Sequence, residues 1–218
     1  MAASAADIKT LRDRTGAGML DCKKALEENN NSLEAAVDWL RAKGIAKATK
    51  KAGRAATEGV VEAYIHGGGR IGVLLEVNCE TDFAAKTDAF KALVHDIALH
   101  IAASNPEFVS KEDVSQDAYE REKQVQIQRV MEEGKPAAVA EKIVTGRMAK
   151  WYEDVCLLEQ KFIRDEDKTV GQVVTAAIAS IGENVKVRRF ARFALGEGLE
   201  KKQDDFAAEV AKQAAGGH

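Results

Sequence analysis

The stretch Val77-Asn78-Cys79-Glu80-Thr81-Asp82-Phe83-Ala84-Ala85 is where this sequence concentrates chemistry. An apolar run ends, a polar turn with carboxylates and a hydroxyl follows, and a phenylalanine sits inside it before the next helical pattern. Such a phenylalanine has two uses. It folds back as a staple on the first turns of the following helix, or it stands out as a wedge for a partner. Composition favours the staple, because most aromatics are core residues.

The templates for catalysis are missing. There is no G-x-x-x-x-G-K-[ST] loop, no G-x-S-x-G elbow and no H-E-x-x-H. Gly67-Gly68-Gly69 resembles a phosphate loop only superficially, since no βαβ unit follows; it reads as a hairpin turn. His95 and His100 are five apart on a helical pattern and point to roughly opposite faces, so they cannot share a metal. Asp96 and His100, at i and i+4, read as a surface ion pair. The expectation is no catalytic residue, no metal and no cofactor.

Composition narrows the class. With 218 residues, 45% hydrophobic and 31% charged, the chain reads as soluble and globular and is long enough for a real core. The net charge of −3 weighs against holding long nucleic acid by charge, so no direct nucleic-acid binding is expected. The cysteines Cys22, Cys79 and Cys156 are odd in number, scattered and without a C-x-x-C pair, which favours buried free thiols in a reducing cytosol. Met1 to Ala6 has no signal-peptide pattern, and no apolar run approaches the ~20 residues that span a bilayer. A cytoplasmic protein with no membrane partner is expected.

The elements that must position the turn follow from periodicity. Ser4 with Asp7 resembles a capping box ahead of Ile8 and Leu11, and Thr15-Gly16-Ala17-Gly18 breaks that helix. Met19, Cys22 and Leu26 mark a second helix; Leu33, Ala36, Val37 and Leu40 mark a third, capped by Asn31 and closed at Gly44. The basic stretch Lys43, Lys47, Lys50, Lys51, Arg54 reads as a solvated linker or a fraying helix, or alternatively as a contact to RNA or an acidic surface. Val61, Ala63 and Ile65 alternate, as do Ile71, Val73, Leu75 and Val77, giving a hairpin with one buried face. Phe90, Leu93, Val94, Ile97 and Ile101 mark a strong helix. Two helices follow, over Asp117–Glu133 and from Pro136 to about Lys150. Then come a strand over Val155–Ile163, a helix boxed by Thr169 and Gln172, and a strand Val185–Leu195 with Lys186, Arg188 and Arg192 on one face. A last helix starts near Asp204 or Asp205 and carries Phe206 and Val210. The pattern predicts an α+β fold: an N-terminal three-helix domain, a core of small antiparallel sheet packed by helices, and a short C-terminal helical module. The boundaries are 1–54 with the basic linker, 55–196 and 197–218.

Leu11 to Leu26 resembles the N-terminal signature of the translation elongation factor Ts family, and Glu76 to Phe83 resembles its second signature. Gly196 to Lys202 with Asp205 to Val210 is similar to its C-terminal module, so the resemblance runs through nearly the whole chain in order. It implies a ubiquitin-associated-like first domain. It also implies a short form with one set of core elements, where longer relatives carry a duplicated core and a helical hairpin insertion. The implied activity is guanine nucleotide exchange on the GTPase elongation factor Tu, in its GDP-bound and nucleotide-free states, without enzymatic turnover. The complex would be 1:1 or 2:2. Thr81, Asp82, Phe83 and Ala84 match the loop that enters the GTPase domain and helps dislodge Mg²⁺. Arg12, Met19 and Leu20 match a surface meeting the same domain, and Phe206 and Val210 match the C-terminal contact. Ala84 stands where the family usually has valine, and Met19-Leu20 where it often has two methionines. Two other functions fit the residues less well: a helical RNA-binding module using the basic stretch, and a ubiquitin-associated-type adaptor indifferent to nucleotide state.

Overall fold

The computed structural model describes residues 2–199. Three helices come first: α1 (Ala5–Thr15), α2 (Met19–Glu28) and α3 (Leu33–Lys51). The Ser4 hydroxyl accepts from the Asp7 N–H and caps α1, and Gly16, at φ 66°, ends it in the left-handed region that glycine enters freely. Leu11, Cys22, Ala25, Leu26, Ala36 and Leu40 bury one another as a small cluster of their own.

Two expectations fail at α3. Its cap is Ser32, which accepts from the Ala35 N–H, and not Asn31. Gly44 does not close the helix either. It lies mid-helix, where an added Cβ would sit 3.4 Å from the Cβ of Ala179, so its bareness lets a second helix approach. The basic stretch is therefore mostly helix, and Lys43, Lys47, Lys51 and Arg54 are engaged within the chain. Lys43 and Lys47 bind Asp21 at 3.0 and 2.7 Å and draw its carboxyl below the usual range, Lys47 most. Lys51 donates to the Gly182 carbonyl, and Arg54 meets Glu80 at 3.4 Å. Ala48 already belongs to the main core, so α3 runs from one hydrophobic cluster into the next.

The hairpin β1 (Glu58–His66) and β2 (Ile71–Cys79) is extended by β5 (Val185–Ala194) into a three-stranded antiparallel sheet ordered β1-β2-β5. On β2, Val73, Leu75, Val77 and Cys79 face the core as expected. On β1 the expected face is reversed. Register pairs Val60 with Val77 and Tyr64 with Val73, which leaves Val61, Ala63 and Ile65 on the outer face. Val61 is 67% and Ile65 66% exposed. The face of β5 is also misassigned by simple alternation. A bulge opposite Glu76/Val77 skips Arg188, so Val185, Val187 and Phe190 share the inner side with Arg192, while Lys186 and Arg189 point outward. Arg192 donates to the Ala102 carbonyl near the end of a helix, a favourable place for a cation. Arg188 and Arg189 bind Glu76 at 2.6 and 2.7 Å and hold its carboxyl low, Arg188 first.

Helices α4 (Asp82–Lys86), α5 (Asp88–Ser104) and α8 (Val170–Ile181) cover the sheet's inner face. Phe90, Val94, Ile97 and Ile101 of α5 and Val170, Val174 and Ile178 of α8 meet β2 and β5 in the main core. Between α5 and α8 the chain makes α6 (Gln116–Glu132) and α7 (Ala137–Val155), an antiparallel helical hairpin around Val130, Val144 and Met148. The short-form expectation thus holds in that the described residues contain one three-stranded core sheet, but a helical hairpin is present. The Val155–Ile163 strand is not. Helix α7 continues to Val155, a 3-10 turn spans Leu157–Glu159, and only β3 (Lys161–Phe162) is extended, paired with β4 (Asp165–Thr169). The chain is diverted because Val155 and Leu157 are tied to Phe108 by backbone hydrogen bonds.

His100 is buried and makes no ion pair with Asp96, which instead meets Arg164 at 2.6 Å. The His100 Nδ1 accepts from the Ile163 N–H at 3.2 Å, which leaves Nε2–H to donate to Gln160 Oε1 at 2.9 Å. Burial pushes its pKa below the usual value of 6.5. The unfolded chain then binds a proton here that the folded chain refuses, so stability falls as pH drops from about 6.5 toward 5. Thermal melts over that range should show the decline, and His100→Gln should flatten it.

Candidate functional site

The site is built where β2 ends. Cys79 is buried, and its thiol donates to the Thr81 carbonyl at 3.1 Å, turning the chain out of the sheet. Thr81 is the N-cap of α4, and its hydroxyl accepts from the Ala84 N–H at 3.3 Å. Helix α4 is only five residues long and cannot stand by itself. It is held by this cap, by the buried Ala84 and Ala85, and by Thr87, whose hydroxyl donates to the Ala84 carbonyl at 2.7 Å and caps α5.

Phe83 lies on the first turn of α4 and is 79% exposed. The staple reading is therefore wrong: the ring packs on no helix of the core, and its recorded neighbour is Lys86, whose Nζ lies 5.9 Å from the ring centroid. Two alanines take the inward positions after it, and that is why the phenylalanine is turned out. Asp82 binds Lys86 at 2.6 Å, which lowers its carboxyl pKa and keeps it charged beside the ring. Ala84 is in the main core at 6% exposure, so it anchors the loop from beneath.

Two carboxylates hold this turn: Glu80, which lies within the stretch marked by the sequence, and Glu183, which the sequence did not single out. Glu183, between α8 and β5, accepts from the backbone N–H groups of Glu80 and Thr81 at 3.1 and 3.0 Å and from the Thr81 hydroxyl at 2.7 Å. Glu80 in return accepts from the Asn184 N–H at 2.6 Å, which is the main reason its pKa is lowered. The Asn184 amide donates to the Arg54 carbonyl at 2.8 Å. The only local hint is that Glu183-Asn184 follows the helix-stopping Gly182.

The other expected contacts lie apart. Met19 and Leu20 start α2 behind Gly18 and are 60% and 83% exposed; Arg12 is exposed in the last turn of α1. Among the described residues no hydrogen bond, ion pair or ring contact ties these three to the Thr81–Phe83 loop. Phe206 and Val210 lie outside the described residues, as does the helix expected from Asp204 or Asp205. Among the described residues no group of three or more His, Cys, Asp or Glu side chains could hold a metal. No helix there is long and apolar enough to cross a membrane. The arrangement offers a firmly held knob of Asp82 and Phe83, suited to pressing into another surface.

Residues 24–197 match the family described as Elongation factor TS. The chain belongs to the elongation factor Ts family. It is 61% identical over 210 residues to an elongation factor Ts of Desulforamulus reducens, covering 96% of this chain and 97% of the relative. With that of Carboxydothermus hydrogenoformans it shares 62% over 204 residues, 94% of each chain. With that of Geobacter sulfurreducens it shares 59% over 214 residues, 98% of this chain and 99% of the relative. As an elongation factor Ts family member it serves translation elongation in protein biosynthesis, and it is not a catalytic enzyme.

Proposed function

We propose that this chain is the guanine nucleotide exchange factor for elongation factor Tu and works by pressing the Thr81-Asp82-Phe83 turn into that GTPase. The observation that carries this reading is the exposed Phe83 on a short helix capped, anchored and clamped from three sides. A GTPase holds GDP through a phosphate-cradling loop and Mg²⁺, and both are sensitive to displaced helices and added charge. A factor that binds the nucleotide-free form more tightly must weaken nucleotide affinity by the same free energy. Burial of Phe83 in the partner supplies part of that free energy. The charged Asp82 would stand near the metal site. Arg12, Met19 and Leu20 give a second contact on the same GTPase domain, and the segment with Phe206 and Val210 a third. The first unit would then be the partner-binding domain, and the setting the cytoplasm. Light scattering on the mixture separates a 1:1 from a 2:2 complex.

The RNA-binding alternative loses its support, because Lys43, Lys47, Lys51 and Arg54 are engaged within the chain. The deciding experiment is release of a fluorescent GDP from elongation factor Tu with and without this chain. Faster release is expected, together with no GDP binding to the chain alone by calorimetry. An unchanged release rate overturns the reading.

A further inference from the structure

We infer that Glu183 is a positioning residue for nucleotide exchange: its carboxylate sets the Thr81-Asp82-Phe83 turn in its working geometry from 102 residues away along the chain. The inference rests on the exchange reading given above and adds to it which residue makes the turn rigid.

Glu183 is not needed where it sits. Helix α8 is already closed by Gly182, at φ 86°, whose N–H donates to the Ile178 carbonyl. Strand β5 begins after it, at Val185. All three hydrogen bonds recorded for the Glu183 carboxylate come from Glu80 and Thr81, the two residues immediately before Asp82. Bonds to a charged acceptor are the stronger kind. The bond from the Thr81 hydroxyl has a further effect. By donating to Glu183 Oε1 at 2.7 Å, that hydroxyl must turn a lone pair elsewhere, and the Ala84 N–H takes it at 3.3 Å. Glu183 thereby selects the rotor that caps α4, and Phe83 occupies the second position of that helix. The return clasp, Glu80 on the Asn184 N–H at 2.6 Å, prevents the two turns from sliding past each other.

What Glu183 contributes is order in the free protein. If the clasp is removed, the Thr81 N–H and hydroxyl lie at an exposed position where water replaces the carboxylate. The core beneath, with Phe90, Ile97 and Leu75 fully buried, does not depend on it. The turn then samples other conformations, and its ordering must be supplied when it enters the partner.

The test combines Glu183→Ala, Glu183→Gln, Phe83→Ala and the double variant Phe83→Ala/Glu183→Ala, each assayed for GDP release from elongation factor Tu. Glu183→Ala should lower exchange efficiency about tenfold, the scale of the backbone entropy of about one residue. Its melting temperature should stay near that of the parent, and amide exchange at Thr81 to Ala84 should speed up. Glu183→Gln should restore most of the loss, because its amide oxygen still accepts from both N–H groups and its NH₂ donates to the Thr81 hydroxyl. In the Phe83→Ala background, Glu183→Ala should cost little more, since both act through one turn. Equal losses in both backgrounds, or a loss matched by a lowered melting temperature, overturn the inference in favour of a general structural role. Full activity of Glu183→Ala beside an impaired Phe83→Ala overturns it while leaving the exchange reading intact. Full activity of Phe83→Ala instead defeats the exchange mechanism itself.

Discussion

Replacing Phe83 by alanine is expected to slow GDP release from elongation factor Tu about thirtyfold while leaving the fold as stable as before. The two halves of this result have separate causes. A ring that is 79% exposed contributes little to its own fold, so its loss leaves no cavity. The same ring buried in a partner is worth about 2 kcal/mol, which converts to about thirtyfold in rate when the burial is felt only in the step that expels nucleotide. Stopped-flow release of fluorescent GDP measures the first half and a thermal melt the second. Ile97→Ala is the contrast: Ile97 has no exposed surface, and its truncation should cost about 2–5 kcal/mol. If Phe83→Ala melts as low as Ile97→Ala, the ring belongs to the fold and the wedge is lost with it.

A second large effect is expected at Gly59. This residue stands in β1 opposite Asn78 with φ at 140°, a conformation that residues with side chains avoid. An added Cβ would lie 2.1 Å from the Val77 carbonyl oxygen and 2.7 Å from the Asn78 Cα. Both are backbone atoms of the neighbouring strand, so no rotamer change can relieve them. Gly59→Ala must open the hairpin at its end, next to the residues that lead into Thr81. Strain of this kind should cost about 3 kcal/mol or more, and a chain of this size then melts roughly 10 °C lower. Gly146→Ala is the control: a Cβ there meets nothing within 4 Å, in the middle of α7, and should be neutral or slightly stabilising. Melting curves that are alike for the two variants would overturn the argument from the strand contact at Gly59.

Much of the fold was legible because it is locally encoded. Ser4 ahead of α1 and the Thr169–Gln172 box ahead of α8 sit where their hydrogen bonds form, and the apolar stripe of α5 repeats at helical spacing. What failed was decided by pairing between distant segments. On β1 both parities are apolar, Val60 and Tyr64 as well as Val61 and Ile65, so alternation could not say which side β2 would bury. The bulge at Arg188 leaves no mark in composition, yet it reverses the side of every later residue on β5. Val155 to Ile163 looks like a strand, but its ties to Phe108 divide it between a helix end, a turn and a two-residue strand. The site shows the same division. The turn from Cys79 to Phe83 stood out as a block, whereas Glu183 looked like an ordinary residue after a helix.

The three cysteines have a use beyond packing. Cys22 lies in the cluster of the first three helices, Cys79 in the main core under the Thr81 turn, and Cys156 at the root of the α6–α7 hairpin. All are free and buried, and burial raises each thiol's pKa, that of Cys156 to about 11. A thiol in that condition reacts with an alkylating reagent only during the moments when its surroundings open. The native chain thus carries an internal clock in each region, and three alkylation rates read side by side report how often the helical unit, the sheet and the hairpin root breathe independently of one another.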